Sequence, residues 1–401
     1  MEIIHKLYNM TGLGAFIESP QTLIMVAVGL FLLYLGIKKE YEPLLLVPIS
    51  VGILLANALG GGLGIVQATS ENGIMQMTML QIASEYGIMN YLYYALIKTG
   101  LLPPLIFLGV GALTDFGPML RNLHLAFFGA AAQIGIFTVM ISALAFGFTI
   151  EEAASLGIIG GADGPTAIYT TIILAPHLLG PIAIAAYSYM ALVPVIIPFV
   201  VKLTTNKKDL CINMKQQEKL HPSTIQIKNL KTVKLIFPIL LAALVAIAVP
   251  SAIPLVGMLL FGNLLKEAGK LTERLHDAAQ GAIMNSATIF LGLTVGATMT
   301  AESFLVVKTL MIILGGFIAF ALSVAGGVYA VKIYNLFATK KINPLIGATG
   351  LSAVPMASRV ANEIALKHDS SNHILQYAMA SNISGVIGSA VAAGVLISFL
   401  A

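Results

Sequence analysis

The sequence has no tryptophan, a single cysteine and very little charge: 10% of its 401 residues are Asp, Glu, Lys or Arg, against 58% hydrophobic residues and a mean hydropathy of +0.91. So little charge lies far outside the composition of soluble proteins and places the chain in a bilayer. Apolar runs long enough to cross a hydrocarbon core of about 30 Å recur along almost the whole length, which leaves no room for a soluble catalytic domain of ordinary size. One cysteine, Cys211, excludes an internal disulfide, and it has no Cys or paired His at metal-ligand spacing. It reads as incidental. The formal net charge of +4 is carried by Lys and Arg in connecting loops, which sets topology and does not point to nucleic acid. The N-terminus lacks a basic region followed by a small-residue cleavage site, so the first apolar run is expected to be a retained helix.

What is present is a series of spans. The expected architecture is an all-α integral membrane protein with about ten transmembrane helices, at 21–37, 44–59, 91–112, 124–149, 181–203, 233–249, 252–265, 281–300, 305–325 and 374–400. Two further segments, near 153–175 and 342–365, are interrupted by Gly and Pro. Residues 1–60 hold the N-terminal helices. The stretch 61–90, which opens beside Gly60 and carries Glu71, Asn72, Glu85 and several Met, is expected to be a Gly- and Met-containing loop. A first half then runs over 91–203 and a second over 235–401. Between them, 204–234 carries Lys207, Lys208, Lys215, Lys219, Lys228, Lys231 and Lys234 and reads as a cytoplasmic linker.

Placing the other basic groups (Lys38-Lys39, Arg121, Lys266 to Arg274, Lys332, Lys340-Lys341) inside as well gives consistent alternation only if each interrupted segment enters and leaves on one side. Both are then re-entrant hairpins, the first entering beside Glu151-Glu152 outside, the second between Lys340-Lys341 and Lys367 inside. A repeat supports the pairing: Gly161-Ala162-Asp163-Gly164-Pro165-Thr166 and Gly347-Ala348-Thr349-Gly350-Leu351-Ser352 share the form Gly-Ala-x-Gly-x-hydroxyl. Oppositely oriented, interrupted segments in two halves, an inverted repeat, point to a binding site at the membrane midplane.

The chemistry-bearing residues cluster at those breaks. Gly density and Pro165 prevent a continuous helix around Asp163 and free backbone carbonyls. An Asp at membrane depth costs about 2.5–3.5 kcal/mol on insertion scales, so it must be paired, protonated or bound to an ion. Carboxylate, carbonyl, amide and hydroxyl oxygens suit a hard cation such as Na⁺; the plainer reading is that Asp163 only caps the second half-helix. In the second break, bracketed by Pro344 and Pro355, Asn343 and Ser352 offer neutral oxygens. Arg359 is either a substrate ligand, a neutraliser of Asp163, or a positive anchor at a helix end. In the last span, Ser381-Asn382-Ile383-Ser384-Gly385-Val386-Ile387-Gly388-Ser389, the glycines permit close helix approach and Asn382 is expected to face the site. Tyr187 and Tyr189 lie two apart, so at most one lines a common cavity. Asp115 reads as a solvated turn, and Asn285, Ser286 and Thr288 as a packing patch.

Four runs together, Gly160 to Thr166, Ala186 to Pro194, Asn343 to Arg359 and Asn382 to Ser389, resemble the β subunits of biotin-dependent, sodium-translocating decarboxylases acting on oxaloacetate, methylmalonyl-CoA, glutaconyl-CoA or malonate. The likeness covers nearly the whole chain. It implies a multi-pass subunit of the cytoplasmic membrane that decarboxylates carboxybiotin held by a partner, takes up a proton and drives Na⁺ outward by an elevator-like alternation. By motif position it implies catalytic roles for Asp163, Tyr189 and Arg359, with Arg359 also meeting the biotin. It implies cation contacts at Asp163, Asn343, Gly347, Ser352 and Asn382. It further implies a carboxyltransferase and biotin-carrier subunit, a small membrane subunit and a homo-oligomer, with Na⁺ and biotin as the ligands.

Two rival readings share parts of this. A Na⁺-coupled dicarboxylate symporter of elevator type would use the same hairpins and Arg359 as a carboxylate ligand, and would transport alone. A purely structural subunit would be indifferent to neutralising Asp163.

Overall fold

Long runs of Leu, Ile, Val, Ala and Phe fold as helices here because, away from water, the backbone must satisfy its own hydrogen bonds. In the computed structural model, which describes residues 21–40, 43–57, 63–66, 73–221 and 229–401, every extended element is a helix. Gly60 to Gly62, Glu71, Asn72 and Lys228, to which the sequence reading assigned loop and linker, lie outside the described residues. The principal helices in chain order are α1 (Gln21–Lys38), α2 (Pro43–Ala56), α3 (Met79–Leu92), α4 (Leu102–Leu113), α5 (Leu123–Ala132), α6 (Ile134–Ala145), α7 (Ile150–Gly157) and α8 (Gly164–Leu174). There follow α9 (Leu179–Ala191), α10 (Val193–Thr204), α11 (Leu230–Ala248), α12 (Ile253–Glu267), α13 (Met284–Ala297), α14 (Val307–Phe337), α15 (Met356–His368) and α16 (Leu375–Leu400).

Six helical stretches are long and apolar enough to cross a membrane, or up to eight if each of two bent pairs is one span. The chain is a multi-pass membrane protein. Several expectations shift in detail. Part of the 61–90 stretch read as loop is helical: Thr78 starts α3 with a reciprocal capping box to Gln81. The expected continuous span 91–112 is bent by 65° between Ile97 and Leu102, where Gly100 takes a left-handed φ of 70° and Pro103-Pro104 begin a new helix. The span expected at 305–325 runs on to Phe337 as one helix of 31 residues.

The first interruption is present as a broken helix. Thr149 and Glu152 form a capping box that starts α7, which tightens into a 3₁₀ turn over Ile158–Gly161. Ala162, at φ 53°, turns the chain, and Asp163 caps α8, whose first residues are Gly164 and Pro165. Glu152 holds this break to its surroundings through an ion pair to Lys308 of α14 (2.5 Å) and a hydrogen bond with His177 (2.7 Å). The second break consists of a single helical turn, Leu345–Ala348, an irregular stretch, and α15.

The stretch α5–α6 backs both breaks. A Cβ on Gly157 would lie 2.7 Å from the Ile136 carbonyl of α6, whereas one on Gly350 would lie 2.7 Å from the Phe128 carbonyl of α5. Gly385 of α16 closes on the other side, its position for a Cβ being 2.4 Å from the Gly350 carbonyl.

The linker forms a strap under the second break. The Asn343 amide donates to the carbonyls of Leu210 and Ile212, both at 3.0 Å, and Lys341 N–H donates to Gln217 at 3.0 Å. Asn213 donates to Asp369 (2.9 Å) and Ser371 (3.0 Å), and Asn372 donates to Ile212 (2.9 Å). Hydrogen bonds from the Ser371 hydroxyl, the Asn213 amide and the Ser371 backbone hold the Asp369 carboxyl below the usual range. That contribution to the strap is present at neutral pH and is lost as pH falls through the depressed value.

Close crossings elsewhere depend on glycine. A Cβ on Gly262 of α12 would lie 2.0 Å from the Leu108 carbonyl of α4, and one on Gly111 would lie 1.8 Å from the Leu259 carbonyl. We therefore expect Gly262→Val to cost more than the roughly 1–3 kcal/mol of ordinary overpacking, since backbone must move. The measurement is the thermal midpoint of the detergent-solubilised protein; an unchanged midpoint would show that this crossing is not tight.

Candidate functional site

Asp163 is 4% exposed, and three elements supply its partners. Its Oδ1 accepts from the Thr166 N–H of its own half-helix at 3.2 Å. Its Oδ2 accepts from two hydroxyls, Ser352 of the second break and Ser389 of α16, each at 2.8 Å. The backbones of the two breaks also meet: Ser352 N–H donates to the Gly161 carbonyl at 2.9 Å. The glycines explain the closeness, because a Cβ on Gly161 would stand 2.9 Å from Ser389 Cβ.

Around this cluster lies a cavity of about 280 Å³, lined by Asp163, Gly164, Tyr187, Thr288, Ser352 and Val354 among others. That is near the small end of ligand-sized cavities. One wall belongs to the two breaks; the opposite wall is apolar and comes from α2 and α4, including Leu45, Ile106 and Val110. Tyr187 packs its ring on Gly164, where a Cβ would lie 2.2 Å from Tyr187 Cε1. Its hydroxyl is buried without a partner among the described residues, as is the hydroxyl of Thr166. Among the described residues no three of His, Cys, Asp and Glu converge as a metal site, so the donor set is one carboxylate with neutral oxygens. That set suits a hard monovalent cation and not a transition metal.

The other residues singled out from the sequence stand farther from Asp163 in the bonding network. Asn382 is fully buried and donates to the Leu351 carbonyl while accepting from the Ser358 hydroxyl at 3.1 Å, so it grips the residue before Ser352. Gly347 lies against α14, with its position for a Cβ 2.0 Å from the Gly327 carbonyl. The Asn343 side chain is taken up by the linker strap and by the Leu345 N–H, at 3.0 Å. The Tyr189 hydroxyl donates to the Ile313 carbonyl of α14 and its ring stacks edgewise on Phe317, so of the two tyrosines it is Tyr187 that lines the cavity. Arg359 is exposed on the first turn of α15.

The direct contact from Ser389 was not among the sequence-based candidates. The signal was present, because Asn382 and Ser389 are seven residues apart on one helix, two turns, and therefore share a face. Once Asn382 is pointed at the breaks, Ser389 must follow.

Comparison with known proteins gives consistent results. Residues 21–400 match the family described as Na⁺-transporting oxaloacetate decarboxylase beta subunit. The chain is 48% identical to the methylmalonyl-CoA decarboxylase subunit beta of Propionigenium modestum, covering 99% of each chain. It is 46% identical to a probable oxaloacetate decarboxylase beta chain of Vibrio cholerae, over 94% of this chain and 95% of that one. It is 43% identical to the oxaloacetate decarboxylase beta chain of Klebsiella pneumoniae, over 100% and 99%.

Ser389→Ala deletes one of two hydroxyls on Asp163 Oδ2, each of which can turn its oxygen to a cation held there. We expect it to raise the Na⁺ concentration needed for half-maximal thermal stabilisation of the purified protein roughly tenfold or more. Titration of the melting temperature with NaCl against KCl reads this out, and identical curves for the variant and the unsubstituted chain would remove Ser389 from the site.

Proposed function

Because this chain belongs to the Na⁺-transporting oxaloacetate decarboxylase beta subunit family, we propose that it is the membrane subunit that decarboxylates carboxybiotin presented by a partner and couples this, with proton uptake, to outward pumping of Na⁺. The observation that carries the mechanism is the meeting of Asp163, Ser352 and Ser389 from three separate elements. A carboxylate in so dry a place is neutralised either by a cation or by a proton. The two compete for one position. The substrate supplies a carboxyl group that leaves as CO₂ and a ring nitrogen that takes up one proton; this chain holds that proton in exchange for Na⁺.

Other residues take supporting parts. In this reading Asp163 and Ser352 are cation ligands, while Asn382 orients Ser352 through the Leu351 carbonyl. Asn343 and Gly347 fix the foot of the second break. Arg359, exposed and close in sequence to Pro355 and Met356 of the cavity wall, attracts the carboxylate of carboxybiotin. Tyr189 ties α9 to α14. The breaks enter from opposite faces as an inverted repeat and move together past the wall formed by α2 and α4, which is an elevator-like alternation. The site lies in the cell membrane within a complex that includes a biotin-carrying carboxyltransferase, a small membrane subunit and further copies of this chain. The sparsely buried face of α11 suits lipid or a second subunit.

Relatives named for oxaloacetate and for methylmalonyl-CoA decarboxylases are similar to this chain at comparable identity, which fits an acid substrate that is handled on another subunit. A Na⁺-coupled dicarboxylate symporter finds no support among these relatives. In membrane vesicles carrying the whole complex, Asp163→Asn is expected to abolish substrate-driven ²²Na⁺ uptake, and the unsubstituted chain is expected to copurify with a biotinylated protein on avidin. Undiminished uptake by the variant would refute the coupling role, and absence of a biotinylated partner would refute the decarboxylase reading.

A further inference from the structure

Gln133 is the one amide side chain in the apolar stretch Leu123–Ala145, placed between the 10 residues of α5 and the 12 of α6, and it is 7% exposed. Its Nε2 donates to the carbonyls of Gly129 (3.1 Å) and Gly385 (3.5 Å). Its Oε1 is buried and has no partner among the described residues. The orientation of the amide is fixed chemically: turning it over would set oxygen against two carbonyl oxygens. The oxygen therefore faces away from Gly129 and Gly385, toward Gly161, where a Cβ would lie 3.7 Å from it. Gly161 is the residue whose carbonyl accepts from Ser352 N–H and whose α-carbon abuts Ser389. Gly388, one residue before Ser389, has its Cβ position 3.2 Å from Gln133 Nε2.

An unpaired amide oxygen at the centre of an apolar span is costly unless something occupies it. We propose that Gln133 Oε1 is a ligand of the translocated cation, adding a neutral oxygen from a fourth element to those of Asp163, Ser352 and Ser389. This inference rests on the cation reading of Asp163 and extends it. Its location also has a meaning for the cycle. Gln133 sits at the joint of a helical stretch that backs both breaks, α6 behind the first and α5 behind the second. Cation binding there draws α5, α6 and both breaks around one centre, and release of the cation loosens all four together.

The test uses the purified complex with its partner subunits, probed with Na⁺ alone. Gln133→Met keeps the length of the side chain and removes the oxygen. It is expected to raise the Na⁺ concentration for half-maximal thermal stabilisation, and for ²²Na⁺ uptake, by roughly tenfold. Half-saturation equal to that of the unsubstituted complex overturns the proposal. If Gln133→Met does not assemble, Gln133→Glu decides: it keeps an oxygen and adds charge, so Na⁺ half-saturation is expected to fall at alkaline pH and to rise again on acidification, and a Na⁺ and pH dependence identical to the unsubstituted complex overturns the proposal. Asp163→Asn measured alongside separates the two levels. Loss of Na⁺ stabilisation in Asp163→Asn with none of the expected change at Gln133 removes only Gln133 from the shell, whereas unchanged Na⁺ stabilisation in Asp163→Asn removes the cation site itself.

Discussion

Everything in this structure is arranged around the difficulty of keeping one carboxylate, Asp163, inside an apolar protein within an apolar solvent. Among the described residues no lysine or arginine is bonded to it; its partners are two hydroxyls and a backbone N–H. A permanent ion pair would neutralise the charge once and for all, and would leave the residue inert. Hydroxyls behave differently, since each can donate to a bare carboxylate or turn its oxygen to a cation. Such a pocket can hold a bound ion, a proton, or a transient bare charge without rebuilding, which is the property the proposed exchange site requires.

The glycines follow from that arrangement. For Ser352 and Ser389 to reach the same oxygen of Asp163, the two breaks and α16 must approach more closely than side chains allow. Gly161, Gly350 and Gly385 are the points of approach, with backbone or Cβ atoms inside 3 Å of where a side chain would begin. Without a hydrophobic force between helices in lipid, such close packing also supplies much of the attraction. The same residues therefore serve cohesion and site geometry, which is why the Gly-Ala-x-Gly motif is dense precisely where the polar groups are.

Much of this was legible in the sequence. The two interruptions came from Gly and Pro placement, and the grouping of Asp163 with Asn343, Gly347, Ser352 and Asn382 from the rule that polar groups avoid lipid and from the family resemblance; of that group Ser352 bonds Asp163 directly. What the sequence withheld is the distinction between a polar group facing a site and one satisfied by a neighbouring backbone. Asn343 and Asn382 look alike as buried amides; one is spent on the carbonyls of the linker and the other on Leu351. Gln133 has its amide protons engaged and its oxygen free. That difference is set by which carbonyls lie within 3.5 Å, a property of the assembled fold. The bend at Gly100 was missed for a different reason: Gly100 and Pro103-Pro104 mark it in the sequence, but the apolar run 91–112 is long enough to pass for one span.

The linker strap gives the polar middle of the chain a mechanical meaning. Had 204–234 been a slack tether, its lysines would have sufficed to set topology. Instead the described part fastens to the foot of the second break through Asn343 and Lys341, and to the turn before α16 through Asp369, Ser371 and Asn372. Those two anchor points flank the segment that delivers Ser352, and α16 delivers Ser389. A movement of the strap thus acts on both hydroxyls that hold Asp163 Oδ2. Because Ser352 is bonded to Gly161 through its backbone and to Asp163 through its hydroxyl, displacement of the second break is passed to the first without any long-range relay, through two adjacent hydrogen bonds.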